Sequence, residues 1–241
     1  MRRIFIGSYT STVRDGRMPR VPQDLGNRKK VASRDTFVRS HGSNPDNIVQ
    51  AGLVHEVAVS IVHRLNGNKT IPETDAFITR TPGIVLAMAH ADCPIVSFCS
   101  EGKPLAALAH AGRESAFGGI IPRTVGIIRE LGINPNELSA SIGPAIGVCC
   151  YELKEDEKGV LRFKEAGLER FVERRGGRFF GNLPALLKHQ LKTCGVRDIS
   201  DAKECTCCQK DGTPTSAYRY FSFRRLKKPW RNLTFIGIME D

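Results

Sequence analysis

Short apolar runs separated by turn residues recur through the first half of the chain, and this pattern predicts strands. The run at 84–89 is apolar without alternation, which is typical of a strand buried on both faces. Further strands are predicted at 75–79 and 105–109. Partial alternation over 48–61 places His55 on or beside a strand, where a ligand would be held firmly.

Helical spacing becomes prominent later in the chain. Ser115 is expected to cap a helix that continues to Leu131, and the segments 165–172 and 183–194 carry the same spacing. Closing strands are predicted at 218–224 and 233–239. Because strands and helices are interspersed without a regular βαβ repeat, the sequence predicts an α+β fold with mixed β-sheets flanked by helices.

The first 45 residues have little periodicity, apart from a short strand predicted at 3–6. We interpret them as a loop-rich N-terminal extension (1–45) of a single domain that covers residues 1–241, a length sufficient to bury a substantial core. No apolar run reaches the length of a membrane span or of the core of a secretion signal. We therefore expect a cytoplasmic protein with no membrane partner.

The net charge of the chain indicates what it could bind, and its cysteines indicate the redox state of its thiols. Lysine and arginine number 36 against 25 acidic residues, a net charge of +11 that attracts phosphorylated substrates or nucleic acid. The densest basic run, at 224–231, is either a solvated surface stretch or a nucleic-acid contact. The eight cysteines, in a chain without a secretion signal, are expected to be reduced thiols.

Cys93 and His110 stand near the ends of predicted neighbouring strands, 17 residues apart. A thiolate and an imidazole are good zinc ligands, and they also form the common nucleophile and base pair of cysteine enzymes. Ala111, Gly112 and the small residues after them would let backbone amides at a helix start approach a phosphate. A tight strand-to-helix connection with a buried structural His110 is the alternative.

Several segments resemble, in order and spacing, the signature of the YfiH/YlmD-like laccase-domain family, over roughly residues 50–238. The segments are Thr74-Asp75-Ala76-Phe77-Ile78-Thr79, Pro82-Gly83, Ala91-Asp92-Cys93-Pro94-Ile95-Val96, Ala109-His110-Ala111-Gly112, Gly143-Pro144-Ala145-Ile146-Gly147, Cys149-Cys150-Tyr151-Glu152, Cys205-Thr206 and Phe221-Ser222-Phe223-Arg224-Arg225. The resemblance implies the α+β, CNF1/YfiH-like fold.

The resemblance also implies a metal site and an activity. Members are named for polyphenol oxidase activity and are described as purine nucleoside phosphorylases with adenosine deaminase activity. The family's ligand set, one His, one Cys and one later His, corresponds here to His55, Cys93 and His110. Arg113 and Arg224 are the candidates for phosphate or substrate contact.

The chain departs from the family pattern at three places. Glu56 stands after His55 where a glycine is expected. His41, which is followed by Gly42, matches this local pattern better, but it lies too far upstream of the next motif to be ranked first. Arg113, Glu114 and Ser115 stand where the family has tryptophan, arginine and glycine, and Ala145 replaces a cysteine. These changes put anion binding after His110 in question.

Three interpretations of function follow. The first is a zinc-dependent purine nucleoside phosphorylase, with adenosine deamination as a second activity and a purine nucleoside and phosphate as its partners. Zinc is favoured over copper because multicopper sites need many imidazoles, and the chain has six histidines, scattered at His41, His55, His63, His90, His110 and His189.

The two alternatives use the thiols differently. One is a metal-free cysteine hydrolase or deamidase, in which Cys93 is the nucleophile, His110 the base, and backbone amides near Ala111 and Gly112 form an oxyanion site. The other is an inactive or nucleic-acid-binding member with a structural zinc site at Cys205, Cys207 and Cys208, although the second Cys-x-x-Cys pair of a zinc ribbon is missing.

Overall fold

Two large β-sheets form the centre of a computed structural model, which describes residues 5–18, 26–64, 70–100, 102–213 and 217–239. The strands are β1 (Phe5–Thr10), β2 (Ile48–Ala51), β3 (Val59–Ile61), β4 (Thr70–Ile71), β5 (Ala76–Thr79), β6 (Val85–His90), β7 (Ile95–Ser100), β8 (Ala106–His110), β9 (Leu138–Ile142), β10 (Glu152–Leu153), β11 (Val172–Arg175), β12 (Arg178–Gly181), β13 (Asp198–Asp201) and β14 (Asn232–Met239). The helices are α1 (Arg28–Ser40), α2 (Arg113–Phe117), α3 (Ile120–Glu130), α4 (Val160–Glu165), α5 (Leu183–Thr193) and α6 (Phe223–Leu226).

The two sheets pack face to face. The first has the order β1-β14-β6-β2-β4 and the second the order β13-β9-β7-β8-β5-β3, each mixing parallel and antiparallel neighbours. Leu86 and Met88 of β6 meet Phe77 of β5 and Leu108 of β8 in the apolar layer between the sheets. A third, smaller antiparallel sheet has the order β10-β12-β11, and its Leu153 joins the buried core on the outer face of the second sheet.

Helices cover the two outer faces. Ala107 and Ala109 of β8 point away from the inter-sheet layer and join a core with α3 and α5. On the opposite side, Val85 and Ala87 of β6 pack with Phe37 of α1. Because successive residues of a strand face opposite sides, β6 and β8 supply apolar side chains to two layers each. This explains why their sequences are apolar without alternation.

The α+β prediction, with mixed sheets flanked by helices, is confirmed. The predicted strands at 75–79, 84–89, 105–109 and 233–239 correspond to β5, β6, β8 and β14, and the helix at 183–194 corresponds to α5. The grouping of residues 1–241 in a single domain stays a prediction.

The N-terminal segment 1–45 differs from the loop-rich extension expected from its composition. It contains α1, and it contains β1, which pairs along its length with β14. The predicted strand at 3–6 overlaps the start of β1, although residues 1–4 lie outside the described residues. Helix α1 buries only Arg34, Phe37 and Val38, so its apolar stripe is too short to be evident in the sequence.

Three later predictions are also wrong. The segment 165–172, expected to be helical, contains only the end of α4, a 3-10 helix at Glu169–Phe171 and the start of β11. The helix expected from Ser115 to Leu131 is two helices, because Gly119 adopts a left-handed φ of 87° between them. The strand expected at 218–224 is a loop followed by α6. In that loop the side-chain amide of Asn232 both donates to the carbonyl of Phe221 and accepts from its N–H, and so takes the place of a neighbouring strand.

None of the helices in the described ranges has the length and apolar character needed to cross a bilayer.

The inter-sheet layer is predicted to carry much of the stability. Leu108→Ala removes a fully buried side chain between the sheets, and we expect it to lower the free energy of unfolding by about 2–5 kcal/mol in urea titrations. Leu161→Ala, at a leucine that is 44% exposed, is the matched control and should change it by less than about 0.5 kcal/mol. Equal effects of the two substitutions would contradict the assigned core.

Candidate metal centre and adjoining pockets

The register of two adjacent strands brings Cys93 and His110 together. Strands β7 and β8 are antiparallel, with Ile95 opposite His110, and Cys93 lies two residues before that pair. Pro94 accepts the N–H of Ala111 through its carbonyl at 2.9 Å, which extends the pairing beyond the strands. The proximity of Cys93 and His110 predicted from the sequence therefore follows from a local strand pairing.

His55 comes from a loop instead of from a strand. β2 ends at Ala51 and β3 begins at Val59, and His55 has a φ of 66°, in the left-handed region that non-glycine residues rarely adopt. The His55 and His110 rings lie edge to face, with centroids 4.8 Å apart. The ligand atoms of His55, Cys93 and His110 all lie within 4.8 Å of one another.

The carboxylate of Asp75 organises this arrangement and was not identified from the sequence as a site residue. Asp75 is fully buried; its Oδ1 accepts the backbone N–H of His55 at 2.9 Å, and its Oδ2 accepts that of Glu56 at 2.9 Å. His110 Nδ1 lies 3.3 Å from Asp75 Oδ1. With the ring proton on Nδ1, His110 donates to Asp75 and presents the lone pair of Nε2.

The electrostatics of the cluster favour charge separation. Burial alone would raise the pKa of Cys93, but the charge and hydrogen bonding of His110, with hydrogen bonding from His55, lower it to about 6. Burial would lower the pKa of His110, whereas Cys93 and Asp75 raise it to about 9. The site therefore stabilises Cys93 as a thiolate, the form that binds a metal, and a bound cation would take the place of the second proton of His110.

Gly112 permits the close approach of the site residues. A Cβ atom at this position would lie 3.1 Å from Cys93 Sγ and 3.5 Å from His110 Cε1. Gly112 is also the N-cap residue of α2, so the helix begins directly beside the thiol. A larger residue here would displace the sulfur.

Two pockets meet at the cluster. One, of about 440 Å³, is lined by His55, Cys93 and His110 together with a mainly apolar wall that includes Leu53, Val54 and Pro72. The other, of about 420 Å³, shares His55 and Cys93. Phe223, half-exposed on α6, lines both pockets.

Arg113 and Arg224 both line the second pocket, as does Tyr151. Arg113 donates to Glu114 at 2.7 Å and to the carbonyl of Lys158. Arg224 donates to the carbonyl of Glu152 at 2.8 Å, with its guanidinium 5.3 Å from the Tyr151 ring centroid. The structure therefore brings both candidate arginines to the cavity that borders Cys93.

The acidic residue after Arg113 does not leave an unbalanced negative charge. Glu114 also accepts from Arg162, at 3.3 Å, so two guanidinium groups share one carboxylate. The altered sequence after His110 thus retains positive charge at the pocket, which favours binding of an anion.

Asp92 ties the segment before Cys93 to the C-terminal motifs. Its carboxylate accepts the Thr206 hydroxyl at 2.7 Å and the backbone N–H of Arg224 at 2.7 Å. Its carbonyl accepts the N–H of Ile146 at 2.8 Å. This one buried residue positions three separate stretches around the second pocket.

The other histidines are distributed through the structure. His90 donates from Nδ1 to the carbonyl of Cys93 at 3.0 Å and accepts from Thr234 at 2.9 Å, and burial together with the charge of His110 lowers its pKa to about 3. His41 packs against Phe37 and Tyr9, and His189 against Phe171. Within the described residues, therefore, His55 and His110 are the histidines that join a group of three or more potential ligands.

The basic run at 224–231 does not form one exposed strip. Arg225 donates to the carbonyls of Thr206 and Tyr220, and Arg231 lines the first pocket. Trp230 packs against Phe221 and beneath the guanidinium of Arg17. Arg224 and Arg231 of the run thus line the two pockets, whereas Lys227, Lys228 and Pro229 are exposed.

Comparisons with known proteins agree with the motif pattern. A profile for the multi-copper polyphenol oxidoreductase laccase family matches residues 24–239. A purine nucleoside phosphorylase of Streptomyces coelicolor is 32% identical over 195 residues, covering 81% of this chain and 76% of the relative. Purine nucleoside phosphorylase YfiH of Escherichia coli is 28% identical over 165 residues, covering 68% of this chain and 64% of the relative.

Solved structures share the fold. YlmD of Geobacillus stearothermophilus aligns with a TM-score of 0.80 and 25% identity, covering 99% of this chain and 93% of that one. A YfiH protein of Bacillus licheniformis aligns with a TM-score of 0.79 and 24% identity, covering 96% and 92%. The chain therefore belongs to the multi-copper polyphenol oxidoreductase laccase family, within the YfiH/YlmD-like group that its sequence motifs indicate.

Proposed function

We propose that this protein is a zinc-dependent purine nucleoside phosphorylase, with adenosine deamination as a second activity of the same site. The observation that carries the proposal is the convergence of His55, Cys93 and His110 where two pockets meet. The purine nucleoside phosphorylase names of the relatives support the choice of substrate.

The three side chains fit zinc by their donor chemistry. One thiolate and two imidazoles are borderline-soft ligands, and three protein ligands leave a fourth position open, as is usual at catalytic zinc sites. A zinc ion held there would supply Lewis acidity and lower the pKa of a water at its open position. The buried Asp75 behind His110 supports this role, because a carboxylate at the distal nitrogen of a metal-binding imidazole fixes its tautomer and orientation.

A multicopper oxidase centre fits the same residues poorly. Such centres rely on many imidazoles, and among the described residues only two histidines meet at one site. The thiol-rich group at Cys149, Cys150, Cys205 and Cys208 contains no imidazole. The family's descriptive name is therefore a weak guide to the metal chemistry of this chain.

In our proposal each of the two pockets binds one of the two substrates. Arg113 and Arg224 bind phosphate on one side of the cluster, while the apolar wall of the other pocket and the Phe223 ring hold the purine. In phosphorolysis a phosphate oxygen bonds to the ribose C1′ as the bond from C1′ to the purine nitrogen breaks, and the purine leaves with a proton. In deamination, water replaces the amino group at C6 of adenine and ammonia leaves.

A metal-free cysteine hydrolase is the second candidate, favoured by the alignment of Cys93, His110 and Asp75. One feature of the structure opposes it. The N–H of Ala111, which the sequence offered as an oxyanion donor, is already bonded to the Pro94 carbonyl at 2.9 Å. The two candidates differ in metal requirement, so zinc content and chelator sensitivity separate them.

Product analysis tests the proposal directly. Protein purified without a metal-affinity tag is incubated with adenosine or inosine, with and without phosphate, and the products are separated by chromatography. We expect phosphate-dependent release of free base, together with conversion of adenosine to inosine, and loss of both products in Cys93→Ala because a ligand is missing. Cys194→Ala, at a half-buried thiol of another region, should retain activity. Absence of any product from the unmodified protein would refute the purine assignment.

The role of Asp75 can be tested with an isosteric change. Asp75→Asn keeps the shape but removes the charge and one of the acceptors, so we expect zinc affinity or kcat/KM to fall by about 10–100-fold. Competition with a chromogenic zinc chelator and steady-state kinetics give the two values. Asp198→Asn, at an exposed aspartate, is the control. Unchanged zinc affinity and activity in Asp75→Asn would show that the carboxylate does not support the site.

The proposed binding of phosphate in the second pocket can be tested by removing the guanidinium of Arg224. Arg224→Ala keeps the backbone N–H that binds Asp92 but removes the side-chain charge, so we expect KM for phosphate to rise by about 10–100-fold, the effect of losing a charged hydrogen bond. Initial rates at varied phosphate measure it, and Arg129→Ala, at an exposed arginine of α3, is the control. If KM for the nucleoside rises instead, Arg224 belongs to the purine side.

A further inference from the structure

Four thiols from distant parts of the chain converge at a second location. Cys149, Cys150, Cys205 and Cys208 have sulfur atoms that all lie within 4.8 Å of one another, and the Cys149 and Cys208 sulfurs are 3.6 Å apart. All four are free thiols. Four thiolates bound tetrahedrally to one zinc, each at about 2.3 Å, lie about 3.8 Å from one another. The spacing of the four sulfurs is thus close to that of an all-thiolate zinc site.

We propose that Cys149, Cys150, Cys205 and Cys208 bind a structural zinc ion, separate from the group formed by His55, Cys93 and His110. The sequence offered Cys205 and Cys208 as half of such a site, with no second Cys-x-x-Cys pair. The adjacent pair Cys149 and Cys150 supplies the other half. Four protein ligands and no open position are typical of zinc sites that stabilise a fold.

Backbone hydrogen bonds converge on the most buried of the four sulfurs. The N–H of Gly147 donates to Cys205 Sγ at 3.2 Å. The backbone N–H groups of Cys207 and Cys208 are also directed at this sulfur. N–H donors directed at sulfur stabilise the thiolate form, which is the form that binds metal.

Gly147 allows the two ligand segments to approach closely. A Cβ atom at this position would lie 3.2 Å from Cys149 Sγ and 3.7 Å from Cys205 Sγ. The segments are also joined by a bridge between Ala145 and Cys205, in which the N–H of Thr206 donates to the Ala145 carbonyl at 3.0 Å. The arrangement is therefore fixed by backbone contacts as well as by the thiols themselves.

Positive charge borders the four thiols. Arg175 donates to the carbonyl of Val148, and Arg225 donates to that of Cys207. Four thiolates and one Zn²⁺ carry a net charge of −2, which nearby guanidinium groups stabilise. Tyr151, which lines the pocket beside Cys93, directly follows Cys150. A zinc ion here would brace one wall of the proposed active site.

The inference does not rest on the proposed function, and its test avoids the first metal site. Zinc is counted by elemental analysis, and its neighbours are identified by X-ray absorption, in the full-length Cys93→Ala variant purified under reducing conditions without a metal-affinity tag. We expect about one zinc per chain, with a first shell of sulfur only at about 2.3 Å and no imidazole signal. The unmodified protein should hold up to one more, with imidazole scattering.

Substitutions locate the ion. Cys149→Ser and Cys208→Ser, at the two exposed thiols, should each lose this zinc and lower Tm, whereas Cys194→Ser should do neither. Both exposed thiols should resist alkylation in the zinc-bound protein and react rapidly after chelation. Zinc-free Cys93→Ala protein, a first shell containing nitrogen, or a disulfide between Cys149 and Cys208 in reduced protein would each overturn the proposal. Loss of activity on nucleosides, with this zinc retained, would concern the group formed by His55, Cys93 and His110 and not the four thiols.

Discussion

The arrangement of the candidate metal centre depends on one buried carboxylate. Asp75 lies at the start of β5, inside the protein, and binds the loop that carries His55 as well as the ring of His110. Burial would raise the pKa of Asp75, but hydrogen bonding from His110 and from the backbone of Glu56 and His55 lowers it below its ordinary value. An ionised carboxylate that is fully buried needs such donors, and the same donors set the positions of both imidazoles.

Asp92 plays the corresponding role on the other side of Cys93. It adopts a φ of 76°, a conformation that is strained for a non-glycine residue, and three stretches of chain satisfy its polar atoms. Between them, the two aspartates fix the residues on either side of the thiol. This explains how a site composed of residues from separate segments can still have a defined geometry.

The sequence predicts those parts of the site that local pairing determines. Cys93 and His110 flank consecutive antiparallel strands, so the positions of two short apolar runs were sufficient to bring them together. His55 was assigned through family motifs, but its loop conformation depends on Asp75, which is 20 residues away and resembles an ordinary strand terminus. The meeting of Cys149 with Cys208, 59 residues apart, depends on a bridge between loops that no periodicity reveals.

The order of strands in the first sheet has a consequence for the timing of assembly during synthesis. β14, the last of the described strands, lies between β1 and β6, and the hydroxyl of Thr234 on it donates to His90 at 2.9 Å. The ribosome therefore releases residues 232–239 only after every proposed ligand has been made. Until then β1 and β6 lack the strand that joins them. The first sheet can therefore form in full only after residues 232–239 have been made.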